Sequence, residues 1–362
     1  MKLKSWKLHP IRLPYFRAIK WADVVEEAAD FLLLEIESDT GARGIGEATV
    51  KPTWSGVTLR SLTVALEEIY LPKLATIALD DPEALLDAYQ SIPEGRAARA
   101  LIDNACWDLR ANASGKPLHA LLGAGARVEV CCTLTRAAPS TMAREAAELV
   151  GKYGFKTIKF KGGQGFDTDF AGLAAVRGAV GAAIRIYVDA NSHYDQAQGI
   201  EYTRRLAERD VFLSEDPYRL AADRAFEQTQ AELPIPILVD SPAAGLVEAA
   251  TFLDRGARAI SVKPGRVGLT TARRCANLAK TRNAGVVVGL YSESTLGTLA
   301  PLAFHSSLTN ALAPSECTFF LGLKERITHD SIDVRDGFII LPPDAGYRAL
   351  VDWDRVARFR VA

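Results

Sequence analysis

The apolar pattern divides the chain into three stretches. Up to about residue 125, strands precede helices. Phe31 to Ser38 (FLLLEIES) reads as a strand entering an Asp39-Thr-Gly41 turn, and Gly44 to Ala48 returns from it, so an antiparallel ribbon is predicted. From about Leu59 the spacing becomes helical, through Leu62, Val64, Leu66 and Ile69, and again through Ala97, Ala100, Leu101, Ala105 and Leu109. Near Val128 the rhythm changes, and short β-branched runs alternate with amphipathic helices. The runs end at Lys159/Lys161, Asp189, Glu215, Asp240, Lys263 and Gly289, with separations counted from Lys161 of 28, 26, 25, 23 and 26 residues. That is the length of one strand-loop-helix-loop unit, and unbroken apolar runs suit strands of a parallel sheet covered on both faces. Val128 to Thr135 before the series and Cys317 to Leu321 after it complete eight strands.

The pattern therefore predicts an α/β protein, a modified TIM barrel of (β/α)7β type over residues 126–325 behind an α+β capping domain over 1–125. Residues 326–362 hold one more strand (GFIILP) and are too short for a domain, so they are expected to pack back on the cap.

Composition narrows the function classes. In 362 residues, 43 Lys plus Arg nearly cancel 44 Asp plus Glu, which excludes an overall basic field for nucleic acid or an anionic membrane. Cys106, Cys131, Cys132, Cys275 and Cys317 lack CxxC spacing, so they read as reduced core thiols rather than a disulfide or zinc framework. Charges and two prolines interrupt the first twenty residues, and no later run approaches the roughly 18 apolar residues of a membrane span. A cytoplasmic enzyme is expected, with no membrane or nucleic-acid partner.

In a barrel the C-terminal strand ends converge on one mouth. Asp189, Glu215 and Asp240 close the third, fourth and fifth strands, and three crowded carboxylates repel one another unless a cation lies between them. Taken singly, each acid reads as a helix cap; on three consecutive strands, they read as ligands. Oxygen-only donors select a hard divalent ion, Mg²⁺ first and Mn²⁺ as its substitute. Asn191 is placed to orient Asp189 or a bound water. Lys159 and Lys161 alternate with Phe160, so both point to one face, and neighbouring positive charges are expected to lower a lysine's pKa towards that of a working base. Lys263 ends the sixth strand, across the mouth from the second. Two amines on opposite sides of a metal-bound carboxylate substrate can remove a proton from one face of a carbon and return it to the other.

These residues, in KTIKFKGG, IYVDAN, SEDPY, ILVDSP and SVKPGRVG, together with IGEAT around Glu47 and ALIDNACWDLRANASGKPLHALLG from residue 100, resemble the enolase superfamily, and within it the muconate lactonizing enzyme subgroup. The resemblance covers nearly the whole chain. It implies Mg²⁺ on Asp189, Glu215 and Asp240, acid/base roles for Lys161 and Lys263, and a modulating Lys159. Asn191 and Asp216 would lie behind the ligands. Glu293 would be a partner to Lys263 or the substrate, with a plain helix-terminal acid as the alternative.

Two cap segments, Pro14 to Trp21 and Val50 to Thr58, would choose the substrate, through Tyr15, Lys20, Lys51 and Trp54, with Glu316 contributed by the eighth strand. A small-molecule carboxylate substrate and a homo-oligomer are also implied. Dipeptide epimerases of the subgroup carry Asp-x-Asp at the eighth strand; PSECTFFLG has only Glu316, which disfavours a dipeptide. The His of mandelate-racemase-type seventh strands is missing from GLYSE, and His193 is a minor candidate for substrate contact. Racemisation or epimerisation is therefore the first expectation, with muconate-type cycloisomerisation or o-succinylbenzoate synthase-like dehydration as alternatives. A Schiff-base aldolase using Lys263 would leave the three acids without a role.

Overall fold

The computed structural model describes residues 1–21, 24–329 and 332–361, and the side chain of Lys20 lies outside the described residues. Strands β1 (Leu3–Trp21), β2 (Val24–Ser38) and β3 (Arg43–Val50) form an antiparallel sheet in that order. The predicted ribbon is β2–β3, with Phe31 opposite Thr49 and Glu37 opposite Arg43. Strand β1 was not predicted, although Ile11, Leu13 and Tyr15 are buried with a strand's period of two. Pro10 and Pro14 are tolerated because β1 is an edge strand. The expected loop Pro14 to Trp21 is accordingly the end of β1, irregular in register between Pro14 and Ile19.

Helix Arg96–Ser114 lies on β3 and buries the predicted Ala100, Leu101, Ala105 and Leu109. Their approach is so close that a Cβ on Gly46 would stand 2.6 Å from the Leu101 carbonyl oxygen. The helix predicted from Leu59 differs in its face. It begins at a Thr58–Ser61 capping box and runs through Ala65 into a π turn over Leu66–Tyr70. Leu62 and Leu66 are buried, but Val64 and Ile69 are 40% and 49% exposed. Val64, two residues from Leu62 in the regular helix, faces away from it, and the widened turn takes Ile69 off the 3.6-residue stripe that Leu62 and Leu66 begin.

Seven parallel strands follow in ring order: β5 (Cys132–Leu134), β6 (Thr157–Lys161), β7 (Arg185–Asp189), β8 (Val211–Glu215), β9 (Ile237–Val239), β10 (Ala259–Val262) and β11 (Gly285–Val288). The first expected run is in fact two strands. Its start, β4 (Arg127–Glu129), pairs antiparallel with β12 (Phe338–Ile340) of the C-terminal stretch.

The eighth place is not taken by Cys317 to Leu321, part of which is a 3₁₀ turn (Phe319–Gly322). Asn310 to Glu316 fills it in extended form, with Leu312 N–H donating to Val286 O at 2.8 Å and Cys131 N–H to Ser315 O at 2.9 Å. Pro314 has no N–H to give a regular ladder there.

Residues beyond β12 also reach the cap. Val361 N–H bonds Pro10 O at 3.0 Å, and Tyr347 N–H bonds Asp108 Oδ1 at 2.7 Å.

Inside the ring, Cys131, Tyr187, Leu213, Leu238, Ala259, Val287 and Ala313 form an apolar floor. Two residues beyond Tyr187, Leu213 and Leu238, with the same inward orientation, come Asp189, Glu215 and Asp240. No helix among the described residues is long and apolar enough to cross a membrane.

Candidate active site

Because β6 to β10 are neighbours in order, the sequence-predicted residues stand side by side as an arc: Lys161, Asp189, Glu215, Asp240, Lys263. Lys161 Nζ donates to Asp189 Oδ2 at 2.6 Å, and Lys263 Nζ donates to Asp240 Oδ2 at 2.6 Å. The two lysines are four strands apart in a ring of eight places, hence on opposite sides of the mouth. Both are partly accessible, at 22% and 12% side-chain exposure.

Lys159 lies one layer deeper. Its ammonium is 2.8 Å from Glu215 Oε1, 3.0 Å from Glu316 Oε2 and 3.2 Å from Asp189 Oδ2. Burial opposes its charge, yet Glu215, Glu316, Asp189 and Asp240 together overcome burial and hold it well above the ordinary lysine range. The expectation of a lowered pKa fails at this position, since the nearest charges are carboxylates rather than another ammonium. Glu316 is buried, and its carboxylate accepts from Lys159 Nζ and from Tyr187 Oη at 2.7 Å, so both of these groups turn it towards the ring interior.

The electrostatics of the acids follow their partners. Burial disfavours the charge on Asp189 and Asp240, but Lys161 with Lys159, and Lys263 with Arg266, hold them well below the usual carboxylate range. Burial and Asp189 push Glu215 well up. Asp216 is also raised, by burial and by Asp240, while its oxygens accept the N–H groups of Asp240 at 3.1 Å and Ser241 at 2.9 Å. Asn191 meets Asp189 through its N–H at 2.8 Å and its side-chain amide at 3.2 Å, and accepts from Lys161 at 3.2 Å.

Among the described residues no three His, Cys, Asp or Glu side chains converge as a ready-made ion cage. Each acid of the trio is turned to a lysine instead. The donor chemistry nevertheless suits a hard cation. Glu215 Oε2 and Asp240 Oδ1 are buried and receive no hydrogen bond, although Lys159 Nζ stands 2.7 Å from the former outside bonding geometry. A positive ion beside them would satisfy both oxygens and relieve the repulsion that raises Glu215.

The cap closes the mouth from above. Lys51, buried, donates to Tyr15 Oη at 2.8 Å and pairs with Glu26; burial lowers its pKa despite Glu26. The ring of Tyr15 meets Phe319, which follows the eighth segment, edge-on at 5.8 Å, and Trp54 meets Tyr291, beyond β11, at 5.9 Å. Tyr15, Lys51 and Trp54 are thus brought together at the rim. Glu293 is buried beyond it. Its Oε2 accepts Tyr291 N–H at 2.7 Å, and burial, reinforced by Glu47, raises it to about 7, while Lys263 turns to Asp240 instead. His193 packs edge-on against Tyr194 at 5.0 Å.

Sequence reasoning missed the groups that hold the loops. Asp169 accepts Gly163 N–H at 2.6 Å, Gln164 N–H at 3.1 Å and the hydroxyls of Tyr194 and Tyr202, each at 2.8 Å. Arg136 donates to Gly162 O at 2.5 Å and Asn191 Oδ1 at 3.1 Å. Glu47, on β3, accepts Ser294 N–H at 2.8 Å and the Ser294 hydroxyl. The signal for Glu47 is its place in IGEAT, a charged residue inside an otherwise apolar strand run, which marks the residue but not its partner Ser294.

The chain is similar to known proteins over most of its length. Residues 6–123 match the mandelate racemase / muconate lactonizing enzyme N-terminal domain, and residues 141–355 match the enolase C-terminal domain-like family. A hydrophobic dipeptide epimerase of Enterococcus faecalis (strain ATCC 700802 / V583) is 30% identical over 82% of this chain and 84% of its own. A muconate lactonizing enzyme from Mucobacterium Smegmatis, solved with muconolactone, superposes with a TM-score of 0.94 at 25% identity, covering 100% of both chains. A dipeptide epimerase structure from Enterococcus faecalis V583, complexed with Mg and the dipeptide L-Leu-L-Tyr, covers 96% of this chain and 99% of its own, with a TM-score of 0.86 at 24% identity. The chain belongs to the mandelate racemase / muconate lactonizing enzyme family and is an isomerase of the enolase superfamily.

Proposed function

We propose that this isomerase removes and returns the proton α to a substrate carboxylate, as a racemase or epimerase. The observation that carries the reading is the arc itself, three acids on consecutive strands flanked at both ends by a partly accessible lysine. Asp189, Glu215 and Asp240 would hold Mg²⁺, with Asn191 and Asp216 fixing the orientation of Asp189 and of the Asp240 backbone. Bound there, the ion supplies charge stabilisation worth several kcal/mol to an enolate, without which an α-proton is too weakly acidic for an amine.

The chain's own groups do the rest. Lys161 Nζ takes or gives the proton on one face, and Lys263 Nζ on the other. Lys159 stays charged beneath them and keeps the acids compensated from below. Tyr15, Trp54 and Phe319 cover the mouth and exclude water. With Glu316 occupied by Lys159 and Tyr187, the eighth segment has no acid turned to the mouth for a substrate ammonium. The reading therefore favours an N-acylated amino acid over one with a free amino group. The Schiff-base alternative is dropped, since it gives the acids no part.

The test is incubation in D₂O with Mg²⁺ and separate enantiomers of N-acylamino acids, with a dipeptide and cis,cis-muconate alongside, read by NMR at the α-carbon. Deuterium entering an N-acylamino acid, lost on adding EDTA, supports the reading. Lactone from muconate without exchange of any amino acid overturns it in favour of cycloisomerisation.

A further inference from the structure

The two lysines of the arc are held by different parts of the molecule. Lys161 is followed by the turn Gly162–Gly165, and among the described residues the side chains that grip this turn come from the barrel: Asp169 with Tyr194 and Tyr202, and Arg136. Lys263 is followed by a single helical turn, Pro264–Val267, and then by helix Leu269–Thr281. That turn is pinned at both ends by helix Arg96–Ser114, which also carries the cap sheet. Asn104 donates its amide N–H to Pro264 O at 3.1 Å and accepts Leu269 N–H at 3.0 Å. One residue earlier, Asp103 accepts Thr270 N–H at 2.7 Å and the Thr270 hydroxyl at 2.6 Å, and Trp107 Nε1 donates to that hydroxyl oxygen at 2.7 Å.

All of these side chains are buried. The backbone is adapted to the contact: Gly268 has φ +80°, and a Cβ there would stand 2.6 Å from Asp103 Oδ2. Four hydrogen bonds from two adjacent side chains fix the residue after Lys263 and both residues that open the next helix. A mere adhesive between cap and barrel has no need to bracket that one turn.

We infer that Asp103 and Asn104 are positioning residues for Lys263, so that the cap governs proton transfer at one face of the substrate carbon and leaves the other to the barrel. The inference rests on the reading above, in which the two lysines serve opposite faces. It predicts an asymmetry. Displacing an acid/base group by about 1 Å costs up to a hundredfold in rate, and this loss falls on the Lys263 face alone.

Two measurements on the full chain test it separately from the chemistry. The first is trace labelling with acetic anhydride, read by peptide mass spectrometry and referred to the exposed Lys116. In Asn104→Ala, Lys263 labels several-fold faster than in the unaltered protein while Lys161 keeps its rate, and in Asp169→Asn the roles reverse. Thr270→Val, which exchanges a hydroxyl for a methyl of the same shape, serves if Asn104→Ala does not fold. Parallel changes at both lysines, or none at Lys263, overturn the inference whatever the substrate.

The second is α-proton exchange in D₂O with N-succinyl-L-phenylalanine and its D enantiomer in the presence of Mg²⁺. Asn104→Ala slows one enantiomer by about tenfold or more and leaves the other within about twofold; equal slowing of both overturns the inference. If the unaltered protein exchanges neither enantiomer, the racemase reading fails for this substrate class, and the labelling result still decides whether Asn104 positions Lys263.

Discussion

The two ends of the arc look alike and are built differently. At the Lys161 end, the strand, the glycine turn and its clamps all belong to one continuous run from Arg136 to Tyr202, so the amine is placed by local contacts. At the Lys263 end, the clamps come from residues about 160 positions earlier in the chain. The neighbouring turn depends on the cap as well, through Glu47 and Ser294. An amine held locally survives a loosened cap, whereas one held at long range does not.

The strongest way to break the comparison is to remove the amines. Lys161→Ala and Lys263→Ala should each lower α-proton exchange by roughly a hundred- to ten-thousand-fold, each on its own enantiomer. Loss of both enantiomers' exchange in either variant would show that the ends do not act independently.

Next comes pH. Burial raises Glu47 to about 7 from an ordinary 4.5. Between those values the folded state keeps a proton that the unfolded chain has released, so stability falls as pH rises from about 4.5 to about 7. The contribution is at most about 3 kcal/mol for this fully buried group. Glu47→Gln should flatten that part of the pH dependence of Tm, and an unchanged slope would separate Glu47 from the cap-dependent end.

A smaller effect concerns the acids between the lysines. Asn191→Ala or Asp216→Asn should weaken Mn²⁺ binding, followed by electron paramagnetic resonance, by about 10- to 100-fold. An unaltered affinity would mean that neither residue orients a ligand.

The smallest is Arg17→Ala, which removes the exposed Arg17–Glu145 pair between cap and barrel. It should change stability by under about 1 kcal/mol. A larger loss by chemical denaturation would mean that surface ion pairs, rather than the buried clamps, hold the cap.

The arc was legible because barrel strands announce themselves as β-branched runs, and a charged residue closing each run can only face the mouth or the loop. Elements without such a run were not. Asn310 to Glu316 contains Pro314 and pairs by scattered bonds, so the eighth place was assigned to the wrong residues. Strand β1 carried a period of two in Ile11, Leu13 and Tyr15, but its charges and prolines masked it. Residue identity gave Lys159 its neighbour Lys161 but not the acids around it, since Glu316 arrives from 157 residues away. Asp103 and Asn104 sit in a plainly helical stretch, and nothing local says which of its polar side chains meet a distant loop.

The ammonium of Lys159, sealed under the mouth among Glu215, Glu316 and Asp189, has a consequence for how the protein is made. Acids crowded at the mouth with no positive charge among them would repel one another and oppose closure of the ring. Here a tethered counterion travels with the polypeptide, so a newly synthesised chain can complete its barrel without waiting for a metal ion to compensate the acids.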